Sequence, residues 1–162
     1  MSPPTIPTTV PLGAALRVVG DVHGDDAAFA YATATDRFVI QLGDLVDHGP
    51  RSDLVLARMF ALIDTGRGLF LLGNHDHRLA RALEGNLPRI EGETARTLGQ
   101  LDPALAARAR LELARAPLWL RDGGRVFVHA GFHTAMADAP PETLGGQRPA
   151  GIAARALFGE PT

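Results

Sequence analysis

The feature that most constrains this chain is a polar side chain placed just after each of several short apolar segments. Each segment is rich in branched or aromatic residues, and Asp, Asn or His follows it at once or after a glycine. The pairs are 16–19 with Asp21, 38–42 with Asp44, 69–72 with Asn74 and 126–128 with His129. Ligands of α/β sheets bind beyond the carboxyl ends of strands, so we expect these four residues to meet at one sheet edge.

Helical segments alternate with these strands, and the alternation predicts an α/β architecture with a mixed sheet. We expect helices over about 25–33, 52–64 (capped by Ser52), 76–84, 103–116 and 152–157. A hairpin is predicted for 118–121 and 125–128, around the turn formed by Asp122 and two glycines. The polar, glycine-rich stretch 85–99 is predicted to be a loop. Residues 1–13 are proline-rich and predict an extended or mobile arm, followed by one domain over 14–162.

Composition removes several function classes. The 162 residues contain no cysteine and no lysine, which excludes thiolate zinc sites, cysteine nucleophiles, Schiff-base chemistry and a lysine-dependent P-loop. The net charge of −2 argues against a strongly basic nucleic-acid binder. No apolar run approaches the ~20 residues of a membrane span, and the N-terminus lacks a signal-peptide pattern. We therefore expect a cytoplasmic protein with neither a membrane nor a nucleic acid as partner.

The polar residues offer oxygen and nitrogen donors suited to metal ions. Asp21 and His23 are two residues apart, so they face the same way in an extended segment. Asp44 has two oxygens and could bridge two cations, while Asn74 and His129 add an amide oxygen and an imidazole. Such a set without sulfur favours Mn²⁺, Fe, Zn²⁺ or Mg²⁺ over copper.

Two cations about 3.5–4 Å apart can clamp a phosphoryl group and acidify a water between them. That water would attack phosphorus directly, and the leaving oxygen would then need a proton. His75 is the best placed donor in the sequence, with Asp47 available to orient it.

Four motifs, in order, carry a resemblance to a known family: Gly-Asp-Val-His-Gly, Gly-Asp-Leu-Val-Asp, Gly-Asn-His-Asp and Val-His-Ala-Gly. Over about 16–131 the chain resembles the calcineurin-like metallophosphoesterases. The match looks closest to the phosphoprotein phosphatase branch, which includes bacterial protein phosphatases and diadenosine tetraphosphatases. The resemblance implies a sandwich of two sheets flanked by helices (αββα).

The resemblance also implies two divalent metal ions, with Mn²⁺ the first choice. One ion would be held by Asp21, His23 and Asp44. The other would be held by Asp44, Asn74, His129 and one further histidine. His75 and Asp47 match the pair that protonates the leaving group.

Two departures from the family pattern concern its phosphate and metal contacts. The family usually has arginine where this chain has His48, so we expect His48, Arg51 and Asn74 to contact phosphate, with Arg78 as another candidate. The family's last metal histidine, in a Gly-His motif, has no counterpart here, and His133 is the only histidine after His129. We therefore expect a truncated chain whose second metal lacks a ligand and whose exposed sheet edge could form a homodimer.

Three functions remain open. The first is a metal-dependent phosphoesterase that hydrolyses phosphomonoesters, including phosphoproteins, by attack of a metal-bridging water. The second is a hydrolase of dinucleoside polyphosphates, because the motifs suit it equally. The third is a catalytically weak fragment that acts by association.

Overall fold

The computed structural model of the protein describes residues 9–160. Residues 1–8, which make up most of the predicted arm, and residues 161–162 lie outside the described part. In the described end of the arm, the Ala14 amide donates to the Pro11 carbonyl at 3.1 Å and closes a turn. The division of the chain at residue 14 stays a prediction.

A three-stranded parallel sheet forms the centre of the fold. Its strands are β1 (Leu16–Val19), β2 (Phe38–Gln41) and β3 (Gly68–Phe70), in the order β1-β2-β3. All four residues of β2 are buried, as expected for a central parallel strand that is covered on both faces. Helix α1 (Asp26–Thr33) follows β1, and helix α2 (Ser52–Asp64) follows β2.

The predicted hairpin forms a second sheet of its own. Strands β4 (Trp119–Asp122) and β5 (Arg125–Val128) pair antiparallel around Gly123 and Gly124, whose φ values of +51° and +79° suit a tight hairpin turn. One mixed sheet was therefore the wrong expectation, because the hairpin strands pair only with each other among the described strands. A backbone hydrogen bond of 3.0 Å, donated by the Leu72 amide to the Pro117 carbonyl, links the segment after β3 to the segment before β4.

The two sheets and the helices share one apolar core, so the predicted two-sheet α/β sandwich is confirmed. Fully buried members of this core include Ile40 of β2, Leu71 beyond β3 and Trp119 of β4.

The remaining helices are α3 (Asn74–Leu83), α4 (Gly92–Gln100), α5 (Pro103–Arg115) and α6 (Gly151–Phe158), with a 3₁₀ turn at Thr134–Ala137. No helix in residues 9–160 has the length and apolarity needed to cross a bilayer. The predicted cytoplasmic location and edge-to-edge homodimer stay predictions.

Helix α4 lies where the sequence predicted a loop over 85–99. Its buried face is formed by Thr94 and Thr97, three residues apart, rather than by large apolar side chains. A helix of this kind gives no hydrophobic periodicity, which is why the sequence signal failed.

Two helix starts also differ from the prediction. Helix α3 begins at Asn74 rather than residue 76, which places Asn74 and His75 in its first turn. Ser52 does not cap α2, because it already occupies the first helical position. Its hydroxyl instead accepts a hydrogen bond from the Asp47 amide at 3.1 Å.

Candidate functional site

The predicted polar residues meet beyond the carboxyl ends of the strands. Nε2 of His23 lies 3.9 Å from Oδ2 of Asp21 and 3.7 Å from Oδ2 of Asp44. On the other side of Asp44, its Oδ2 lies 3.5 Å from Nε2 of His129. Asn74 completes the group, since its Oδ1 is 3.0 Å from the same His129 nitrogen. Asp44 is therefore the central member of the five-residue group predicted from the sequence.

In their neutral form, the two histidines present unprotonated nitrogens to this group. Nδ1 of His23 lies 3.0 Å from the Val46 carbonyl, and Nδ1 of His129 lies 3.0 Å from the Leu42 carbonyl. A carbonyl oxygen only accepts, so each Nδ1 must carry the proton. This leaves the Nε2 lone pairs facing Asp44, which is how metal-ligating histidines are usually held.

When the His129 ring is neutral with its proton on Nδ1, its contact with Asn74 brings two acceptor atoms to 3.0 Å. Such a pair repels unless a cation lies against both atoms. Two neighbouring ligands of one ion with bonds of about 2.1 Å lie about 3 Å apart at right angles. The residues present therefore fit a metal centre, and Asp21, His23 and Asp44 form a second group of ligand atoms within 4.8 Å of one another.

The backbone beneath these side chains is tightly packed and needs glycine. A Cβ on Gly73 would lie 2.2 Å from the Asp44 amide nitrogen, and a Cβ on Gly43 would lie 2.9 Å from Nδ1 of His129. Both distances are far inside van der Waals contact. These two glycines let the loops that follow β2 and β3 approach closely enough for their side chains to contact the same ligand.

Within residues 9–160, the non-glycine residues with positive φ all lie in the first two motifs or directly after the second. They are His23 (+45°), Asp44 (+59°), Asp47 (+72°) and His48 (+61°). Left-handed conformations are uncommon for residues with a Cβ, and they cluster at functional sites. The strained backbone thus coincides with the predicted site.

Asp76 is a supporting residue that the sequence analysis did not single out. It is fully buried, and its carboxylate accepts from the amides of Asp44 (2.7 Å), Leu45 (2.9 Å) and Gly73 (3.1 Å). Burial, together with the charge of Asp44, raises the pKa of Asp76 to about 7, although the three amides favour the carboxylate. An acid at the third position of a helix is a known capping signal and could have identified it.

A second group of residues holds His75. Its Nδ1 lies 2.8 Å from Oδ2 of Asp47, and the other carboxylate oxygen of Asp47 accepts from Oγ1 of Thr97 at 2.6 Å. Asp47 and Thr97 are buried, whereas His75 is partly exposed. Thr97 was missed because its helix, α4, was not predicted.

Three histidine rings lie together at the mouth of the site. The ring centroids of His23, His48 and His75 are 4.8–4.9 Å apart in each pair, and their rings meet edge to face. His48 is exposed, and its amide donates to Oε2 of Glu93 at 3.0 Å. His48 thus lies next to both a predicted metal ligand and the predicted proton donor.

Comparison with known proteins agrees with this geometry. The model of the family described as "Calcineurin-like phosphoesterase" matches residues 16–150. The chain belongs to the calcineurin-like phosphoesterase family.

Curated relatives of this phosphoesterase include two named tetraphosphatases. It is 37% identical over 134 residues to the symmetrical bis(5'-nucleosyl)-tetraphosphatase of Acidovorax ebreus, with 72% of this chain and 44% of the relative covered. It is 33% identical over 106 residues to the asymmetrical bis(5'-nucleosyl)-tetraphosphatase PrpE of Bacillus velezensis, with coverages of 60% and 43%. The chain thus spans less than half the length of these relatives.

A solved structure described as a putative diadenosine tetraphosphatase shares the fold of this phosphoesterase. The TM-score is 0.55 at 23% identity, and the match covers 76% of this chain and 54% of the other. A metallophosphoesterase from Sphaerobacter thermophilus gives a TM-score of 0.53 at 23% identity, with coverages of 72% and 46%.

Two residues considered for the phosphoesterase site have other contacts in the structure. The guanidinium of Arg51 pairs with both oxygens of Asp53, at 2.9 and 2.8 Å, and this pairing lowers the pKa of Asp53. Nδ1 of His133 accepts from the Ala135 amide at 3.1 Å at the start of the 3₁₀ turn. Within residues 9–160, two groups of side chains could hold a metal ion: Asp21, His23 and Asp44, and His23, His48 and His75. His133 belongs to neither of them.

Proposed function

We propose that this family member hydrolyses phosphate compounds with two divalent metal ions, Mn²⁺ being the first choice. The observation that carries the proposal is the convergence of Asp21, His23, Asp44, Asn74 and His129 around one point. When bound, the ions would neutralise phosphoryl oxygens and lower the pKa of a water molecule. The chain's own residues then have to hold the ions, position the phosphate and supply a proton.

Asp44 is proposed as the ligand shared by both ions. Its Oδ2 lies between Nε2 of His23 and Nε2 of His129, at 3.7 and 3.5 Å. Asp21 and His23 would complete one set of ligands, and Asn74 and His129 the other.

Chelation should therefore abolish hydrolysis of p-nitrophenyl phosphate, and added Mn²⁺ should restore it. The measurement is the rate with EDTA, after its removal, and after titration with Mn²⁺, combined with elemental analysis of the loaded protein. Activity that survives EDTA would contradict the proposal. Tight binding of two metals per chain in a monomer would contradict the alternative of a weak, associating fragment.

His75 is proposed to protonate the leaving oxygen. Its Nδ1 is paired with the buried Asp47 at 2.8 Å, which orients the ring and leaves Nε2 directed away from that pair. The hydrogen bond from Thr97 fixes the second Asp47 oxygen and so prevents the carboxylate from rotating. A proton held at Nε2 is thus available to an oxygen that leaves phosphorus.

His75→Gln should slow the hydrolysis of phenyl phosphate by about 10²-fold or more, because phenolate is a poor leaving group that needs the proton. p-Nitrophenolate leaves without being protonated, so the rate of hydrolysis of its ester should fall much less. The two rates, measured at saturating Mn²⁺, give the ratio that tests the role. His133→Gln is the matched control, since that histidine caps the 3₁₀ turn. Equal losses on both esters would contradict proton donation by His75.

His48, Arg51 and Asn74 are proposed to contact the phosphate. His48 is exposed beside His23 and His75, so its ring can reach a group bound at the site. The amide nitrogen of Asn74 is free to donate when its oxygen faces His129. Arg51 would first have to exchange its two contacts with Asp53 for the phosphate.

Two substrate classes fit this chemistry: phosphomonoesters, including phosphoproteins, and dinucleoside polyphosphates. The names of the curated relatives favour the second class, which we propose as the substrate of the whole protein. Comparing kcat/KM on diadenosine tetraphosphate and on a phosphopeptide separates the two. A clear preference for the phosphopeptide would overturn the choice of a nucleotide while leaving the phosphoesterase proposal intact.

A further inference from the structure

A cavity of about 690 Å³ opens directly beside the site. Asn74 and His75 line it, together with further residues of helix α3 and residues 87–89 and 148–149. Its volume is in the range of pockets that hold cofactor-sized or drug-sized ligands. A molecule with one phosphate at the metal site could therefore extend into this cavity.

Helix α3 builds one wall of the cavity with a regular row of basic residues. His75, Arg78 and Arg81 are each three residues apart, so they lie along the same side of the helix and lead away from the proposed proton donor. Arg89 and Arg148 line the cavity from other segments, and no Asp or Glu lines it. The cavity thus carries four guanidinium groups and no carboxylate.

Two of these arginines are free of protein partners within residues 9–160, whereas Nε of Arg89 is paired with Oε2 of Glu91 at 2.9 Å. Among the described residues, Arg78 and Arg148 are exposed and form neither a hydrogen bond nor an ion pair with another side chain. Nε of Arg81 is buried without a hydrogen-bond partner, although its NH2 group donates to the Asn86 carbonyl at 2.8 Å. Because that Nε is covered by protein atoms, a phosphate in the cavity would contact Arg81 through the terminal nitrogens of its guanidinium group.

Specific contacts hold the opposite wall in place. Nε2 of the buried His77 lies 2.8 Å from the Gln147 carbonyl, and the Gly146 amide donates to Oε1 of Glu84 at 3.2 Å. Both contacts attach the segment before Arg148 to helix α3. Arg148 is therefore held close to helix α3 and lines the same cavity as Arg78 and Arg81.

Part of the cavity lining is apolar. Leu87, Pro88, Pro149 and Phe158 form that part, and Phe158 is 58% exposed. A flat aromatic ring beside a cationic row suits a nucleobase attached to a phosphate chain, because bases stack on aromatic side chains.

We propose that this cavity binds the phosphate chain and one base of a polyphosphate nucleotide whose scissile phosphate lies at the metal site. Arg78, Arg81 and Arg148 contact the chain, and Phe158 stacks on the base. The proposal rests on the function proposed above and explains how a long, highly charged substrate is distinguished from a simple phosphate ester.

The test is the binding of three unmodified ligands to the full chain in EDTA, where hydrolysis is blocked: ATP, inorganic tripolyphosphate and AMP. Calorimetry should show ATP and tripolyphosphate binding at least about tenfold more tightly than AMP. Arg78→Ala and Arg148→Ala should each weaken ATP binding about tenfold. The control is Arg110→Ala, which removes the same charge from an exposed position on α5 outside the cavity.

Phe158→Ala separates the two halves of the cavity. It should weaken ATP binding about fivefold or more and leave tripolyphosphate binding unchanged. Equal losses on both ligands would overturn the stacking role. Arginine variants that bind ATP as the parent does, or an Arg110→Ala loss of the same size, would overturn the cavity as the binding site.

The outcome can be distinguished from failure of the proposed function. Metal-dependent hydrolysis of p-nitrophenyl phosphate by the parent chain, without ATP binding, would overturn this inference alone. ATP binding that depends on Arg78 and Arg148, in a chain without metal-dependent hydrolysis, would overturn the proposed function alone.

Discussion

Asp44→Asn should lower the rate of p-nitrophenyl phosphate hydrolysis by more than roughly 100-fold. Loss of a residue that only hydrogen-bonds to a metal ligand costs up to about 100-fold, and loss of a ligand shared by both ions should cost more. The reason is that a single oxygen of Asp44, Oδ2, lies within 4 Å of both His23 and His129. Replacing that oxygen by an amide removes negative charge from both proposed ion positions. The measurement is the rate together with the number of metal ions bound per chain.

The control for this change is Asp64→Asn, which makes the same substitution at an exposed site paired with Arg108. That variant should keep the parent rate and metal content. An Asp44→Asn protein that binds two ions and turns over normally would contradict the shared-ligand assignment. The substitution keeps the Oδ1 acceptor for the His75 amide, at 2.9 Å, so a loss of folding is not expected.

Asp76→Ala should lower the free energy of unfolding by about 3 kcal/mol or more. It leaves three buried amides, those of Asp44, Leu45 and Gly73, without an acceptor, and each unsatisfied group costs about 1–3 kcal/mol. Asp76→Asn keeps one acceptor oxygen and should lose less. Urea unfolding of the metal-free chain measures both.

Asp64→Ala is the matched control for stability, because its ion pair with Arg108 is exposed and should contribute at most about 1 kcal/mol. If Asp76→Ala lowers the free energy of unfolding no more than this control does, Asp76 does not hold the loop at Asp44 and Leu45 against the one at Gly73. The comparison therefore separates a structural carboxylate from an incidental one.

The convergence of the site residues could be predicted because it follows from chain topology. β1, β2 and β3 are parallel and adjacent, so residues placed just after them must share one edge of the sheet. Glycine before Asp44 and before Asn74 marked the close approach of the two loops. Asp21, Asp44 and Asn74 could thus be placed together from local sequence, whereas His129 follows β5 of the separate hairpin sheet and reaches them through the packing of the two sheets.

The supporting residues could not be predicted in the same way. Thr97 contacts Asp47 across fifty positions of sequence, from a helix whose buried face is made of threonines. The cavity arginines are ordinary polar residues until helix α3 and the segment around Arg148 are placed side by side. Partners of this kind depend on long-range packing, for which hydrophobic periodicity carries no information.

The left-handed backbone at His23, Asp44, Asp47 and His48 has a consequence for evolution and engineering. Each such residue costs of order 1–3 kcal/mol relative to a relaxed conformation, so glycine would be easier to accommodate at all four. Selection for thermal stability alone would therefore favour glycine at these four positions. Under the roles proposed for their side chains, substitutions at these four positions would gain stability at the expense of activity.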